Sequence, residues 1–196
     1  MSSPSSRPRI LVFAGSARRA SFNKRLARLA ARHLEAAGAE ATFLDLRDYP
    51  APLYDGDLEA ESGLPESIRA LRKLFASHTG LVVVSPEYNG FITPLLKNTL
   101  DWISRQDGDE SGLALYQGKL ALVMSASPGA LGGMRSLQLI RQLLGNLGVT
   151  VLPEQISVAR AMNVFDDDGG LTDAPLMKRL DTACHRLIND LRKLHA

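Results

Sequence analysis

Short apolar segments alternate along the chain with longer segments in which apolar residues recur every three or four positions. The first apolar segment, residues 9–15, is rich in branched and aromatic residues and ends at a glycine, which favours a buried strand. Residues 23–37 repeat leucine and alanine at helical spacing and are followed by Gly38, a common helix terminator. The chain therefore begins with a strand, a turn and a helix.

The same alternation continues through the rest of the sequence. Further strands are predicted over residues 41–46, 80–85, 119–125 and 150–158, and further helices over 65–77, 94–104, 134–147 and 172–194. Regular β-α alternation requires parallel strands joined by right-handed crossovers. We predict an α/β fold: a doubly wound, five-stranded parallel sheet of order 2-1-3-4-5 with helices on both faces.

One domain is expected over residues 9–196, because 196 residues with 45% hydrophobic content suit a single core. Residues 1–8 are rich in serine and proline, and we predict a disordered leader rather than a secretory signal. Residues 49–64 are rich in proline, glycine and acid and are long for a connection, which suggests an interface or a lid.

Composition narrows the possible partners. The 23 basic residues nearly balance the 21 acidic ones, which argues against nucleic acid. Cys184 is the only cysteine, so an internal disulfide and a cysteine-based metal site are excluded, and we expect no metal and a reducing, cytoplasmic setting. Without an apolar run of roughly 20 residues, no membrane-spanning helix is predicted.

The turn after the first strand has the composition of an anion site. Ser16, Ser21 and Asn23 offer side-chain donors, Arg18 offers positive charge, and the following helix begins with unpaired N–H groups. The alternative is that Ser21 only caps the helix and the arginines are solvated. Neither the P-loop pattern nor the G-x-G-x-x-G pattern is present, which argues against a nucleoside triphosphate.

The turn after the third strand, residues 85–90, suits a flat heteroaromatic ligand. Tyr88 supplies an aromatic wall, and the turn supplies backbone N–H groups for the edge of a ring. The alternative is ordinary turn chemistry with Tyr88 covering the helix. For Glu87 a structural contact is favoured over a role in tuning the ligand.

A glycine-rich turn, residues 125–133, follows the fourth strand. Its glycines would allow the backbone to approach a ligand closely, although glycine also serves tight turns. In a doubly wound sheet the turns after the first, third and fourth strands meet where the winding direction reverses. Ligand binding is therefore expected at this edge.

These motifs resemble the NADPH-dependent FMN reductase family of flavodoxin-like enzymes. Residues 15–23 read Gly-Ser-x-Arg-x-x-Ser-x-Asn, similar to the family's phosphate loop. Residues 85–89 read Ser-Pro-Glu-Tyr-Asn, and 94–102 read Pro-x-x-Leu-Lys-Asn-x-x-Asp-Trp, similar to its flavin-ring segment. The resemblance covers nearly the whole chain. Ala17, where the family often carries a larger residue, and the segment 91–93, which lacks a further glycine, depart from the pattern.

The resemblance implies FMN as cofactor and NADPH or NADH as co-substrate. It assigns the phosphate to Ser16, Arg18, Ser21 and Asn23 with Phe22 beside them, the flavin ring to Pro86, Glu87, Tyr88, Asn89 and Gly90, and the rest of the pocket to Ser127, Gly129 and Gly132. The chemistry would take place at N5 of the flavin, with no catalytic side chain, and ping-pong transfer would follow to a quinone, chromate, an azo dye or a flavin. A homodimer or homotetramer is also implied.

Several points stay open at this level. A flavodoxin-type electron carrier without nicotinamide turnover is the main alternative, although such carriers tend to be strongly acidic. The acceptor, the preference between NADPH and NADH, the oligomeric state and the role of Arg105 are undetermined. Cys184 is expected in the core, Lys97 and Asp101 as an ion pair, and residues 166–170 as an acidic turn rather than a calcium site.

Overall fold

The structure, a computed structural model, describes residues 7–195. Its centre is one sheet of five parallel strands in the order β2-β1-β3-β4-β5. The strands are β1 Arg9–Ala14, β2 Glu40–Leu44, β3 Gly80–Val84, β4 Leu120–Ala126 and β5 Thr150–Val158. The predicted strands and their order are confirmed.

Helices cover both faces of the sheet, as predicted. The α-helices are α1 Phe22–Ala36, α2 Gly56–Ser62, α3 Glu66–Ser77, α4 Pro94–Ile103, α5 Met134–Asn146, α6 Ala161–Val164 and α7 Ala174–Leu194. Helices α1 and α7 pack on one face, and α3, α4 and α5 pack on the other. Two short 3-10 turns lie at Leu46–Asp48 and Leu113–Leu115. The predicted ends of the long helices agree to within two residues, whereas α2 and α6 were not predicted.

The central strands bury both of their faces, because helices lie on each side. Along β1, Ile10 and Val12 contact the α1/α7 layer, and Leu11 and Phe13 contact the layer of α3, α4 and α5. Cys184 is fully buried in the first of these cores, as expected, and burial raises the pKa of its thiol to about 12.

Most of the predicted leader, residues 1–6, lies outside the described part of the chain. Pro8 is buried, and its carbonyl accepts a hydrogen bond from the Glu40 amide at 2.9 Å. Pro8 is therefore part of the folded domain, in contrast to the prediction, because it continues the pairing of β1 with β2. No helix within residues 7–195 is long and apolar enough to cross a bilayer.

The segment 49–64 contains α2 and is held against α4. The carbonyl of Pro52 accepts hydrogen bonds from Asn98 Nδ2 and Trp102 Nε1, both at 2.8 Å, and Asn98 Oδ1 accepts from the Tyr54 amide at 2.8 Å. Trp102 is fully buried and meets the Tyr54 ring edge to face, with centroids 5.1 Å apart. Hydrogen bonds of the Asn98 and Trp102 side chains therefore hold residues 49–64 against α4.

Candidate functional site

A cavity of about 490 Å³ opens at the carboxyl ends of β1, β3 and β4, the edge at which the sequence predicts a ligand. It is lined by Ser16, Arg18, Ser21, Phe22, Asn23, Pro86, Glu87, Tyr88, Ala126, Ser127, Pro128 and Met162. The sequence identified nine of these twelve residues; Ala126, Pro128 and Met162 were missed. Asn89, Gly90, Gly129 and Gly132, which the sequence also assigned to the site, are not among the lining residues.

The start of α1 forms one end of the cavity. Ser21 is the N-cap: its Oγ accepts from the Lys24 amide at 3.4 Å, which leaves its own hydroxyl proton free to donate. Within the described chain the amides of Phe22 and Asn23 have no acceptor. The Arg18 guanidinium lies over the Phe22 ring, 5.6 Å from its centroid. Hydroxyl, amide and guanidinium donors at a positive helix end are suited to bind a phosphate.

Asn23 has a structural task that the sequence did not reveal. Its Nδ2 donates to the carbonyl of Ala126 at 2.8 Å, and its Oδ1 accepts from the amide of Ala126 at 2.9 Å. Asn23 is buried, and this paired contact joins α1 to the end of β4. Much of its hydrogen-bonding capacity is therefore used inside the protein.

The β3–α4 turn is closed on itself. Tyr88 and Phe91 exchange two backbone hydrogen bonds of 3.1 and 3.0 Å, with Asn89 at φ 53° and Gly90 at φ 80° between them. Two consecutive positive φ values are typical of a type I′ turn, which asparagine and glycine favour. These two residues thus form a fixed tip away from the cavity, while Tyr88 stays half exposed at its wall.

Glu87 lines the cavity and also caps α5. Its Oε2 accepts from the amides of Arg135 and Ser136 at 3.1 and 3.3 Å, and its Oε1 accepts from Arg135 Nε at 2.7 Å. The hydrogen bond from the Arg135 side chain is the largest influence that lowers the pKa of Glu87. The contact connects the β3–α4 turn to the start of α5, which agrees with the structural role that was favoured.

The glycines of the β4–α5 turn differ in what surrounds them. A Cβ on Gly132, at φ 60°, would come within 2.7 Å of the Ala159 amide, so this glycine allows the turn to pack on the end of β5. A Cβ on Gly129 would meet only Ser127 Oγ, at 3.5 Å. Packing against the end of β5 therefore accounts for the glycine at 132 without a ligand, whereas contact of Gly129 and Gly132 with the ligand stays a prediction.

The chain after β5 supplies the wall that the sequence missed. The amides of Arg160 and Ala161 donate to the carbonyls of Gly129 and Ser127 at 3.1 and 3.0 Å, which places Met162 at the cavity. Phe165, beyond α6, stacks on Phe22 with centroids 6.0 Å apart and planes 13° from parallel. Residues 160–165 are thus held by the β4–α5 turn at their start and by α1 at their end.

Other residues singled out in the sequence lie elsewhere. Arg105 Nε donates to both carboxylate oxygens of Glu59, at 2.9 and 3.0 Å, and its guanidinium lies 5.2 Å from the centroid of the Tyr54 ring. Lys97 and Asp101 form the predicted ion pair. Asp166 closes its own turn by accepting from the Gly170 amide at 2.6 Å. Among residues 7–195, no three His, Cys, Asp or Glu side chains group as a metal site.

A family model described as NADPH-dependent FMN reductase matches residues 8–163, the part of the chain that contains every lining residue of the cavity. The chain belongs to this family. It is therefore an oxidoreductase of the FMN-dependent NAD(P)H quinone and flavin reductase type, with FMN as cofactor and NADPH or NADH as electron donor.

Three relatives illustrate the similarity. A quinone reductase of Escherichia coli (strain K12) is 34% identical over 143 residues, 73% of this chain and 72% of that protein. The NADPH-dependent FMN reductase ArsH of Rhizobium meliloti (strain 1021) is 33% identical over 185 residues, 93% and 71% of the two chains. The structure of FerB, a flavoenzyme NAD(P)H:(acceptor) oxidoreductase from Paracoccus denitrificans, has a TM-score of 0.80 at 26% identity and covers 95% and 98%.

Proposed function

We propose that this FMN reductase binds its cofactor in the cavity and reduces quinones with NAD(P)H. The cavity suits FMN because its two ends differ in chemistry. The end at α1 carries the hydroxyls of Ser16 and Ser21, the Arg18 guanidinium and two backbone amides that have no acceptor within residues 7–195, which is a donor set for the phosphate. The other end carries Pro86 and Tyr88, which offer flat apolar surface for the ring.

In this proposal FMN, when bound, supplies the hydride and electron chemistry, and the protein supplies position and electrostatics. Phe22 and Asn23 take part through their backbone amides, while the Asn23 side chain fixes the distance from α1 to β4. Glu87 acts by fixing the β3–α4 turn to α5 and needs no role as an acid. No side chain is required as a nucleophile.

The observation that favours a quinone is the apolar rim, a set of exposed side chains on the three segments around the cavity. The rim consists of Tyr88 and Met162, which line the cavity and are 50% and 71% exposed, and of Phe91, Leu131 and Met134, which lie on the same segments and are 56%, 50% and 47% exposed. Exposed apolar surface of this kind marks a ligand or partner site. A flat apolar acceptor gains contact with it, whereas the dianion chromate does not.

Ping-pong kinetics are part of the proposal, with nicotinamide and quinone using the rim in turn. We also propose a homodimer or homotetramer, in which a second copy would cover exposed apolar residues of the rim, and a cytoplasmic location, where NAD(P)H is available. Chromate, azo dyes and free flavin are proposed as weaker acceptors than quinones.

The test is to reconstitute the protein with FMN, record its visible spectrum and follow oxidation of NADPH and NADH with benzoquinone. The double variant Arg18→Ala, Ser21→Ala should weaken FMN binding about 100-fold or more, because each lost charge-assisted bond is worth roughly a factor of ten. The matched control is Arg47→Ala, Ser62→Ala, which removes an exposed arginine and an exposed serine that do not line the cavity. Flavin binding without NAD(P)H turnover would indicate an electron carrier, and absence of flavin binding would refute the proposal.

A further inference from the structure

Arg160 occupies an unusual backbone position beside the cavity. It lies at φ 49° and ψ 42°, and within the described chain only Asn89 shares a positive φ among residues other than glycine. Asparagine and glycine adopt this left-handed conformation at lower cost than arginine. The backbone therefore does not explain why an arginine stands here.

The surrounding contacts fix where Arg160 stands. Its amide donates to the carbonyl of Gly129 at 3.1 Å, its carbonyl accepts from the Asn163 amide at 2.9 Å, and the cavity-lining Met162 is two residues further along. Arg160 is thus held against the β4–α5 turn, directly before α6, although it is not itself one of the residues that line the cavity. Arg160 and the Arg18 loop belong to different connections of the sheet, Arg160 to the one after β5 and Arg18 to the one after β1.

Most other arginines on the segments around the cavity are engaged. Arg135 is paired with Glu87, and Arg25 donates to the Asp166 carbonyl and lies over Phe165. Arg18 lines the end of the cavity that the proposed function gives to the FMN phosphate. Arg105, which the sequence left open as a nucleotide contact, is paired with Glu59.

The Arg160 side chain, by contrast, is exposed and forms no ion pair with any carboxylate in residues 7–195. We propose that Arg160 binds the ribose 2′-phosphate of NADPH and so sets a preference for NADPH over NADH, an inference that rests on the proposed function. When the nicotinamide lies at the apolar rim, the adenosine end of the dinucleotide extends outward past it. A phosphate monoester there meets a guanidinium that has no competing carboxylate, and guanidinium groups bind phosphate with paired hydrogen bonds.

The test compares Arg160→Asn with Arg19→Gln. Asparagine tolerates the left-handed backbone, so the variant removes the charge without disturbing the fold. Arg19 is a matched control because, like Arg160, it is an exposed arginine next to the cavity-lining residues without being one of them, but it stands on a different loop. In Arg160→Asn the ratio of kcat/KM for NADPH to that for NADH should fall about 10-fold, through KM, as expected for one exposed charge-assisted contact.

Binding supplies a second measurement that does not depend on turnover. Calorimetry on the FMN-loaded protein should show adenosine 2′,5′-bisphosphate binding about 10-fold more weakly to Arg160→Asn, while the affinity for 5′-AMP and for FMN is unchanged. Added salt should reduce the NADPH preference of the wild type, because exposed charge pairs are screened. A wild type without donor preference, an equal loss with both donors, or a loss in Arg19→Gln alone would overturn the assignment. Failure of the proposed function would instead appear as a wild type that consumes neither donor.

Discussion

The side chain of Asn23 and the backbone of Ala126 form a closed pair of hydrogen bonds, 2.8 and 2.9 Å long, across 103 residues of sequence. Both residues are buried, so the polar groups of each need the other as their hydrogen-bond partner. It fixes the start of α1 to the end of β4, and both of these border the cavity. The geometry of the phosphate end is therefore set by a contact between two different β-α units.

Asn23→Ala should lower the free energy of unfolding by about 1 to 3 kcal/mol even without FMN, because it leaves the Ala126 amide and carbonyl unpaired in a buried place. Urea denaturation of the protein with and without FMN measures this. Asn163→Ala is the control, an exposed asparagine whose side chain has no hydrogen bond in the described structure. A variant as stable as wild type but weaker in FMN binding would mean that Asn23 acts directly on the ligand.

The Glu87–Arg135 contact predicts a pH dependence. Glu87→Gln should cost about 1 to 2 kcal/mol at pH 7, since it weakens hydrogen bonds from a guanidinium and two amides to a charged acceptor. The pKa of Glu87 is lowered by its partners from the usual 4.5, so the folded state binds its proton more weakly than the unfolded chain does. The stability that the Glu87 carboxylate contributes is fully present above about pH 4.5, and it is lost as the pH falls through the lowered pKa of Glu87 in the folded state.

Unfolding free energies of wild type and Glu87→Gln, measured from pH 7 down to pH 3, should therefore converge at the acid end. Glu61→Gln, at an exposed position of α2, controls for loss of one carboxylate. A difference that stays constant over this range would show that protonation of Glu87 is not coupled to unfolding, and would contradict a lowered pKa in the folded state.

Gly129 and Gly132, two of the three glycines in the β4–α5 turn, predict opposite results. Gly132→Ala should destabilise the protein by about 2 to 4 kcal/mol, because a Cβ there adds left-handed strain and overlap with the end of β5. Gly129→Ala should leave the melting temperature unchanged, because its Cβ would meet only Ser127. If Gly129→Ala weakens FMN binding at unchanged stability, the ligand passes close to that backbone; unchanged FMN affinity would place the ligand elsewhere.

Sequence periodicity was enough to predict the sheet and the long helices, because each β-α unit carries its own hydrophobic pattern. The motifs in the turns of these units predicted most of the residues that line the cavity. It did not find α6, since four residues are too short for a helical repeat and Arg160 is not a capping residue. It also assigned Asn23 a donor role without its partner, because nothing local connects Asn23 with Ala126. Nor does the sequence show that the end of β5 fills the space beside Gly132, because β5 is distant from this turn along the chain.

The attachment of residues 49–64 to α4 can be tested at Asn98. Asn98→Ala removes a donor to the Pro52 carbonyl and an acceptor for the Tyr54 amide, and should cost about 1 to 3 kcal/mol. Amide exchange should rise first in 49–64, while FMN affinity stays at the wild-type value because this segment does not line the cavity. Lys97→Ala, one residue earlier, breaks only an exposed i, i+4 ion pair and should cost about 0.5 kcal/mol or less. A loss of FMN binding in Asn98→Ala would mean that 49–64 supports the site.

Lys119 predicts a pH dependence of the same sign as that of Glu87, but in the alkaline range. Its Nζ donates to the carbonyls of Phe75, at 2.7 Å, and His78, which lie at the end of α3, and burial lowers the pKa of Lys119 from 10.5 to about 8. Between pH 8 and 10.5 the unfolded chain therefore binds more protons at this residue than the folded one does, and the stability that Lys119 contributes rises with pH.

Lys119→Met leaves both carbonyls without this donor and should be less stable than wild type by about 1 to 3 kcal/mol at pH 8. The difference should grow when urea denaturation is repeated at pH 9 and 10, values inside the window between about 8 and 10.5 that burial of Lys119 creates. Lys178→Met, at an exposed position of α7, controls for loss of one charge. If the difference shrinks over that interval instead, the two helix-terminal carbonyls must stabilise the ammonium form more than burial disfavours it, and the pKa of Lys119 lies above its usual value.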